Sequence, residues 1–403
     1  MRAREFDLVL VLAAAAIIAC GVTMIYSAAG SGLWRHQAVV AILALAAALA
    51  VAYVPTTAFY EVAYPVYAAG VVSLLLVLVW GSGEPARWLA LGPLRMQPSE
   101  FAKIGVILAL ARFLADRSPE QAGRPRAIAH ALLLPALPML LVRHQPDLGT
   151  AVSYGAAFVP MLYWAGVRPL YIFFLLAPAL SVFFSFEPLW QSRAPIIFAL
   201  YIIASSVVIQ VQLARLWVTF TMLFVNLSAG LATTLWTNLL HDYQKARILT
   251  FLDPESDPLG AGWNIIQSKI AIGSGGPTGR GFLQGTQTNY EFLPVAHTDF
   301  IFSVIGEEFG FLGGAAILVL FLIIIWRCLH IATLANSRFS SLLAVGLASM
   351  LTFHVFVNVG MTIGVMPITG LPLPFLSYGG SSLLTNCLAV GLMLHIYACR
   401  HEY

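Results

Sequence analysis

The sequence predicts an all-α, polytopic membrane protein. Two observations carry this prediction. Of 403 residues, 60% are hydrophobic and only 10% are charged, and the apolar residues gather in runs about as long as a bilayer is thick. A soluble domain carries about 25% charge. A chain this long with so little charge cannot cover a globule with polar surface, so its solvent is mostly lipid. A net charge of +3 with no basic stripe argues against nucleic-acid binding.

A membrane helix takes about 20 apolar residues. Runs of that kind lie near 7–29, 37–54, 61–80, 99–115, 128–142, 149–166, 170–186, 196–213, 216–238, 300–326, 340–364 and 380–398. The first is too long for a signal-peptide core and more follow, so it reads as a retained helix. Cys20 and Cys387 fall inside such runs, while Cys328 and Cys399 sit beside Arg327 and Arg400 at run ends. With no CxxC and no Cys/His cluster, neither a disulfide nor a zinc site is expected.

Twelve crossings place both termini on one side. Arg2, Arg4, Arg112, Arg117, Arg124, Arg126, Arg168, Arg215, Arg327, Arg338 and Arg400 fall on that side, against Arg35, Arg87, Arg95, Arg143 and Arg193 in the short loops opposite. The excess of arginine predicts cytoplasmic termini. The segments least like lipid-facing helix, 81–98, 143–148, 239–299 and 365–379, then all fall on the extracytoplasmic side. The chain reads as one integral membrane domain over 1–403, with 239–299 as a large extracytoplasmic loop. No soluble domain, linker or internal repeat is evident.

Four polar segments stand at helix starts. The first carries Arg87-Trp88, Arg95, Gln97-Pro98-Ser99-Glu100 and Lys103. Pro98 suits a first helical turn. Glu100 and Lys103, at i and i+3, share a face inside an apolar run, where charge is costly and marks function or a local pair. The second, Arg143-His144-Gln145-Pro146-Asp147, puts Asp147 where a carboxylate caps a helix, and capping alone would explain it. The third, 239–299, is glycine-rich but matches neither a Walker A motif nor GxGxxG. Its glycines let backbone approach a ligand or pack closely. It ends in His297-Thr298-Asp299, with Glu307 and Glu308 two turns on. A carboxylate at such a rim can act as a general base or bind a hard divalent ion, or serve the helix dipole. Glu307 and Glu308 read as packing or helix-pairing groups. The fourth, Pro367 to Ser382, has prolines and glycines too dense for regular helix, which is tolerated at membrane depth only against protein or a wet cavity. Four helix N-termini near cations favour an anion such as phosphate.

These motifs together resemble the shape, elongation, division and sporulation family. The matching stretches are Arg87-Trp88-Leu89 with Gly92, Gln97 to Glu100 with Lys103, Gln145 to Thr150, Arg247 to Gly276, Gly279 to Gln287, His297 to Phe302, Glu307-Glu308 and Pro372 to Ser382. The run Gln267 to Gly276 favours the elongation branch. The resemblance implies a glycosyltransferase that polymerises lipid II outside the cytoplasmic membrane. It implies Asp299 as the essential acid and Arg87, Trp88, Arg95, Gln97, Glu100, Lys103, Asp147, Lys269, His297 and Ser377 as substrate-binding. It also implies a divalent cation, Mg or Mn, held at Asp299 and Glu100. The implied partners are lipid II, undecaprenyl-diphosphate-linked glycan, a class B penicillin-binding protein and membrane lipid. A lipid II flippase or a scaffold of the elongation complex is the alternative. Two departures stand out. Val295 replaces a glutamate usual in the family. The family's ten or so core spans include one between positions like Arg168 and Asp242, where this chain has three apolar runs, so an extra helical pair is expected at about 170–238.

Overall fold

The computed structural model describes residues 5–401 except 31, 84–85, 92–93, 214–215, 236–244, 246–248, 261 and 291. Arg2, Arg4, Gly92, Arg215, Asp242 and Arg247 lie outside the described residues. The chain forms two compact units, one of Met1–Gly166 with Asn264–Tyr403 and one of Val167–Trp263.

The larger unit opens with α1 (Leu8–Ala29), α2 (Leu33–Ala52) and α3 (Thr56–Trp80), then a hairpin of β1 (Leu89–Leu91) and β2 (Leu94–Met96). It continues with α4 (Pro98–Ala115), α5 (Pro125–Arg143), α6 (Leu148–Ala156) and α7 (Phe158–Trp164). After the second unit come α11 (Trp263–Gly275), α12 (Ile301–Leu334), α13 (Arg338–Thr362) and α14 (Gly380–Ala398). The second unit holds α8 (Pro169–Ser185), α9 (Ala194–Leu213) and α10 (Leu216–Leu231).

Each apolar run of the sequence thus forms helix over most of its described residues. Eight of the described helical stretches are long and apolar enough to cross a membrane: α1, α2, α3, α5, Gln191–Gln212 with α9, α12, α13 and α14. Helices α8 and α10 are shorter apolar helices. Helix α4 has the length but carries Glu100, Lys103 and Arg112. The all-helical, polytopic expectation holds, and α8, α9 and α10 fill the interval where the additional helices were expected. The last of these runs is helical to Leu231 and continues as a 3-10 turn to Leu235.

Two helices break where one run was expected, each for a local reason. The run 149–166 divides between Ala156 and Phe158. Pro160 has no N–H to donate and its ring crowds the carbonyl four residues back, at Ala156. Helix α12 breaks at Gly310, whose φ is 64°. There the segment after α11 enters the helix ladder. Phe311 N–H donates to Gly276 O at 2.8 Å and Leu312 N–H to Pro277 O at 3.1 Å, while Arg280 and Gly281 N–H groups donate to Glu307 O and Glu308 O at 3.0 Å each. The break leaves these backbone groups paired. A Cβ on Gly279 would lie 2.1 Å from Glu308 O, and one on Gly310 would lie 2.3 Å from Gly279 N. The glycines of this stretch therefore serve close backbone packing.

The buried centre of the larger unit runs through α13 and α14, with α13 against α4 and α12 and α14 against α2. Leu74, Ala102, Val106, Val142, Ala151 and Tyr154 join α3, α4, α5 and α6 in one apolar cluster. Asp7 caps α1 by accepting from Leu10 N–H at 3.0 Å. The same carboxylate accepts from Arg327 Nε at 2.8 Å, fixing α1 to α12.

Candidate active site

The site is assembled from the ends of helices that are far apart in sequence. The hairpin pairs Ala90 with Arg95 and Leu89 with Met96, and delivers the chain into α4 at Pro98. Arg95 is exposed on β2, and Trp88 is half-buried beside a bridge to Ser82. Gln97 N–H donates to Ser381 Oγ at 3.0 Å, joining the start of α4 to the start of α14.

Glu100 and Lys103 are each only 2% exposed. Lys103 Nζ donates to Glu100 Oε1 at 2.9 Å and lies 3.2 Å from His354 Nε2 on α13. An ammonium has three donors and no acceptor, so these contacts account for two of its N–H groups. Burying the two charges together avoids the larger cost of burying either alone.

Arg87 and Asp147 organise the turn into α6. Arg87 Nε donates to Gln145 O at 3.1 Å, its terminal nitrogen donates to Pro146 O, and its other terminal nitrogen lies 3.6 Å from Asp147 Oδ2. Asp147 caps α6 by accepting from Thr150 N–H at 3.1 Å and Thr150 Oγ1 at 2.9 Å. The capping role foreseen for Asp147 is thus what its contacts show. Pro146 adopts a positive φ of 24° inside this clamp. Behind it, Gly149 packs on the fourth segment, since a Cβ there would lie 2.4 Å from Thr369 O.

Asp299 lies half-buried just before α12. Asn358 of α13 donates through Nδ2 to Asp299 O at 2.9 Å and to Leu371 O at 2.8 Å. Ser377 Oγ donates to Thr298 O at 2.6 Å and accepts from Leu373 N–H at 2.8 Å. Tyr378 N–H donates to His297 O at 2.9 Å, and the two rings meet edge to face at 5.7 Å. A Cβ on Gly370 would stand 3.6 Å from Asp299 Oδ2. The acidic residue is therefore held through main-chain bonds, with its carboxylate beside Gly370 in the proline- and glycine-rich segment.

Lys269 is exposed on α11, its amine over Gly364, where a Cβ would lie 2.7 Å from Nζ. The adjacent Ser268 is buried and shares a hydrogen bond with Ser303 Oγ while donating to Thr362 O, at 2.6 Å each. That fixes Lys269's helix to α12 and α13. Glu307, fully buried, accepts from Thr286 N–H at 2.7 Å and Gln287 N–H at 3.1 Å. Glu308 accepts from Ser27 Oγ on α1. Both glutamates hold loop and helix together.

His354 and Asn358 are site residues that the reading of loops and helix starts missed. Both lie inside the apolar run 340–364, four residues apart. A polar pair at helical spacing within a membrane run was the available signal.

Half-burial lowers the pKa of His297 below the ordinary histidine value by desolvation. The unfolded chain then takes up the proton first. The contribution of neutral His297 is complete above about pH 6.5 and is lost as pH falls through that value towards the lower folded one. Melting of the wild type and of His297→Gln at about pH 8 and about pH 5 checks this. A smaller acid-induced drop is expected in the variant, and equal drops would refute the assignment.

The family model for the cell cycle proteins FtsW, RodA and SpoVE matches residues 6–193 and 196–402. Peptidoglycan glycosyltransferase RodA of Treponema pallidum is 37% identical over 426 aligned positions, covering 98% of each chain. Peptidoglycan glycosyltransferase MrdB of Escherichia coli is 36% identical, covering 98% of this chain and 94% of the relative. Among solved structures, a chain of a peptidoglycan synthase complex, studied for its coordination of polymerization and crosslinking, superposes with a TM-score of 0.73 at 32% identity. The rod shape determining protein RodA of Thermus thermophilus superposes with a TM-score of 0.64 at 27% identity. Each match covers 99% of both chains.

Proposed function

The chain belongs to the FtsW, RodA and SpoVE family, and from that premise we propose that it is a peptidoglycan glycosyltransferase that polymerises lipid II at the extracytoplasmic face of the bacterial cytoplasmic membrane, with both termini cytoplasmic. One observation carries the reading. Segments from distant parts of the chain meet here: the buried Glu100–Lys103 pair reaches α13 at His354, Asn358 of the same helix holds Asp299, Ser377 bonds Thr298, Gln97 bonds Ser381 at the start of α14, and the turn held by Arg87 and Asp147 packs at Gly149 on Thr369. The names of two relatives, both peptidoglycan glycosyltransferases, agree with it.

In the proposed reaction the 4-hydroxyl of the acceptor's N-acetylglucosamine attacks C1 of the donor's N-acetylmuramic acid. The new O–C1 bond forms as the C1–O bond to phosphate breaks, and undecaprenyl diphosphate leaves with the electron pair. One displacement converts the α-linked donor into a β-linked product. Asp299 takes the hydroxyl proton at its carboxylate. Lys103, Arg95 and Lys269 supply positive charge for the diphosphate, with Trp88, Gln97 and His297 around the sugars. Lys103 is the buried member of this set and Arg95 and Lys269 the exposed ones.

A divalent cation, if bound, offsets diphosphate charge in the leaving group. Among the described residues no three His, Cys, Asp or Glu side chains gather to hold an ion, and Glu100 already accepts from Lys103. Asp299 would hold such an ion in place of taking the proton itself, and the ion would then offset the diphosphate charge. Glu100 would join only on leaving Lys103. A class B penicillin-binding protein is the proposed partner, which would crosslink the strands made here.

The test is incubation of the purified protein, with its transpeptidase partner added in parallel, with lipid II. Glycan strands are the expected product. Translocation of lipid II in vesicles without any polymer would replace this reading with that of a flippase.

A further inference from the structure

Helix α13 reaches both halves of the site with one face. His354 and Asn358 are 1% and 0% exposed. They are four residues apart, a rise of about 6 Å along the helix, so they lie on the same side. His354 meets the Lys103 ammonium and Asn358 holds the main chain of Asp299. The chemistry fixes how each side chain is used. A lysine ammonium can only donate, so His354 Nε2 is the acceptor and the imidazole is neutral with its proton on Nδ1. The two carbonyls facing Asn358 can only accept, so its amide nitrogen faces them and spends both hydrogens there.

We propose that His354 and Asn358 are positioning residues, and that α13 acts as the gauge that sets the diphosphate-binding ammonium of Lys103 against the carboxylate of Asp299. His354 gives the ammonium a second, uncharged acceptor, so Lys103 is held between Glu100 and α13. Asn358 ties Asp299 O and Leu371 O to one side chain, so α13 fixes the main chain of the acid and that of the proline- and glycine-rich segment together. The proposal rests on the polymerase reading above and assigns the two residues different jobs. His354 acts through a binding group and Asn358 through the proton acceptor.

The jobs separate kinetically. His354→Phe keeps a ring of similar volume and loses the acceptor. It is expected to raise KM for lipid II about tenfold with kcat changed less than about threefold. His354→Gln, whose amide oxygen can accept from the ammonium, is expected to bring KM back to within about threefold of wild type. Asn358→Ala is expected to lower kcat about tenfold or more with KM within about threefold. Rates are referred to monodisperse, folded protein, so a structural defect would lower the folded fraction and leave both constants intact. Glycan synthesis by the wild type and its loss in Asp299→Ala establish the underlying reading in the same experiment. With those controls in place, wild-type constants in both variants, parallel changes in KM and kcat, or a His354→Gln as impaired as His354→Phe would overturn the proposal.

Discussion

Asp299→Ala is expected to slow glycan polymerisation by about a hundredfold to ten-thousandfold, the range that a positioned general base or acid contributes, while the protein stays folded. The structure separates these two consequences. The bonds that place the 297–299 loop run through main-chain oxygens, from Tyr378 N–H to His297, from Ser377 to Thr298 and from Asn358 to Asp299. Removing the carboxylate leaves these main-chain bonds in place, so the loop should keep its position in the variant. Asp299→Asn keeps the shape and the ability to hydrogen bond but is a far weaker base. It is expected to be nearly as slow as the alanine variant. A wild-type rate in the folded alanine variant would remove Asp299 from the chemistry. Activity restored by asparagine would leave it a polar contact and nothing more.

Much of the fold was legible because lipid imposes a strong constraint. Backbone in hydrocarbon must satisfy its own hydrogen bonds, so a long apolar run such as Leu8–Ala29 or Arg338–Thr362 has few alternatives to helix. The breaks were less legible. Pro160 could have been read as the end of α6, since its effect on the carbonyl four residues back is local. The Gly310 break could not, because it depends on a loop 35 residues earlier in sequence inserting Gly276 and Pro277 carbonyls beside Phe311 and Leu312. A glycine within an apolar run carries no trace of that partner.

The site was legible to the same uneven degree. Charges at helix starts, Glu100, Asp147 and Asp299, announce themselves because each is costly unless used. What each is used for depends on geometry. Asp147 is engaged by Thr150 and Arg87, Glu100 by Lys103, and Glu307 by the turn at Thr286. His354 and Asn358 were hidden because they sit mid-helix, where neutral polar residues barely lower the hydropathy of a run.

The buried pair gives the second large expectation, on stability as well as activity. Glu100 and Lys103 are each 2% exposed, with one bond of 2.9 Å between them. Lys103→Met alone removes the cation and leaves Glu100 buried without it. Loss of one partner from such a pair costs about 3–5 kcal/mol, large enough to lower the melting temperature by many degrees. Glu100→Gln alone strands Lys103 in the same way, although His354 still accepts from it. The double variant Glu100→Gln with Lys103→Met removes both charges and is expected to melt above Lys103→Met, because no uncompensated charge remains. It should still be inactive, since the ammonium proposed to meet the diphosphate is gone. Thermal unfolding of the three variants beside the wild type measures the coupling between the sites directly. If the single and double variants melt with additive losses, the pair does not interact as its geometry indicates. If the double variant polymerises lipid II at the wild-type rate, Lys103 holds the helix and has no part in binding substrate.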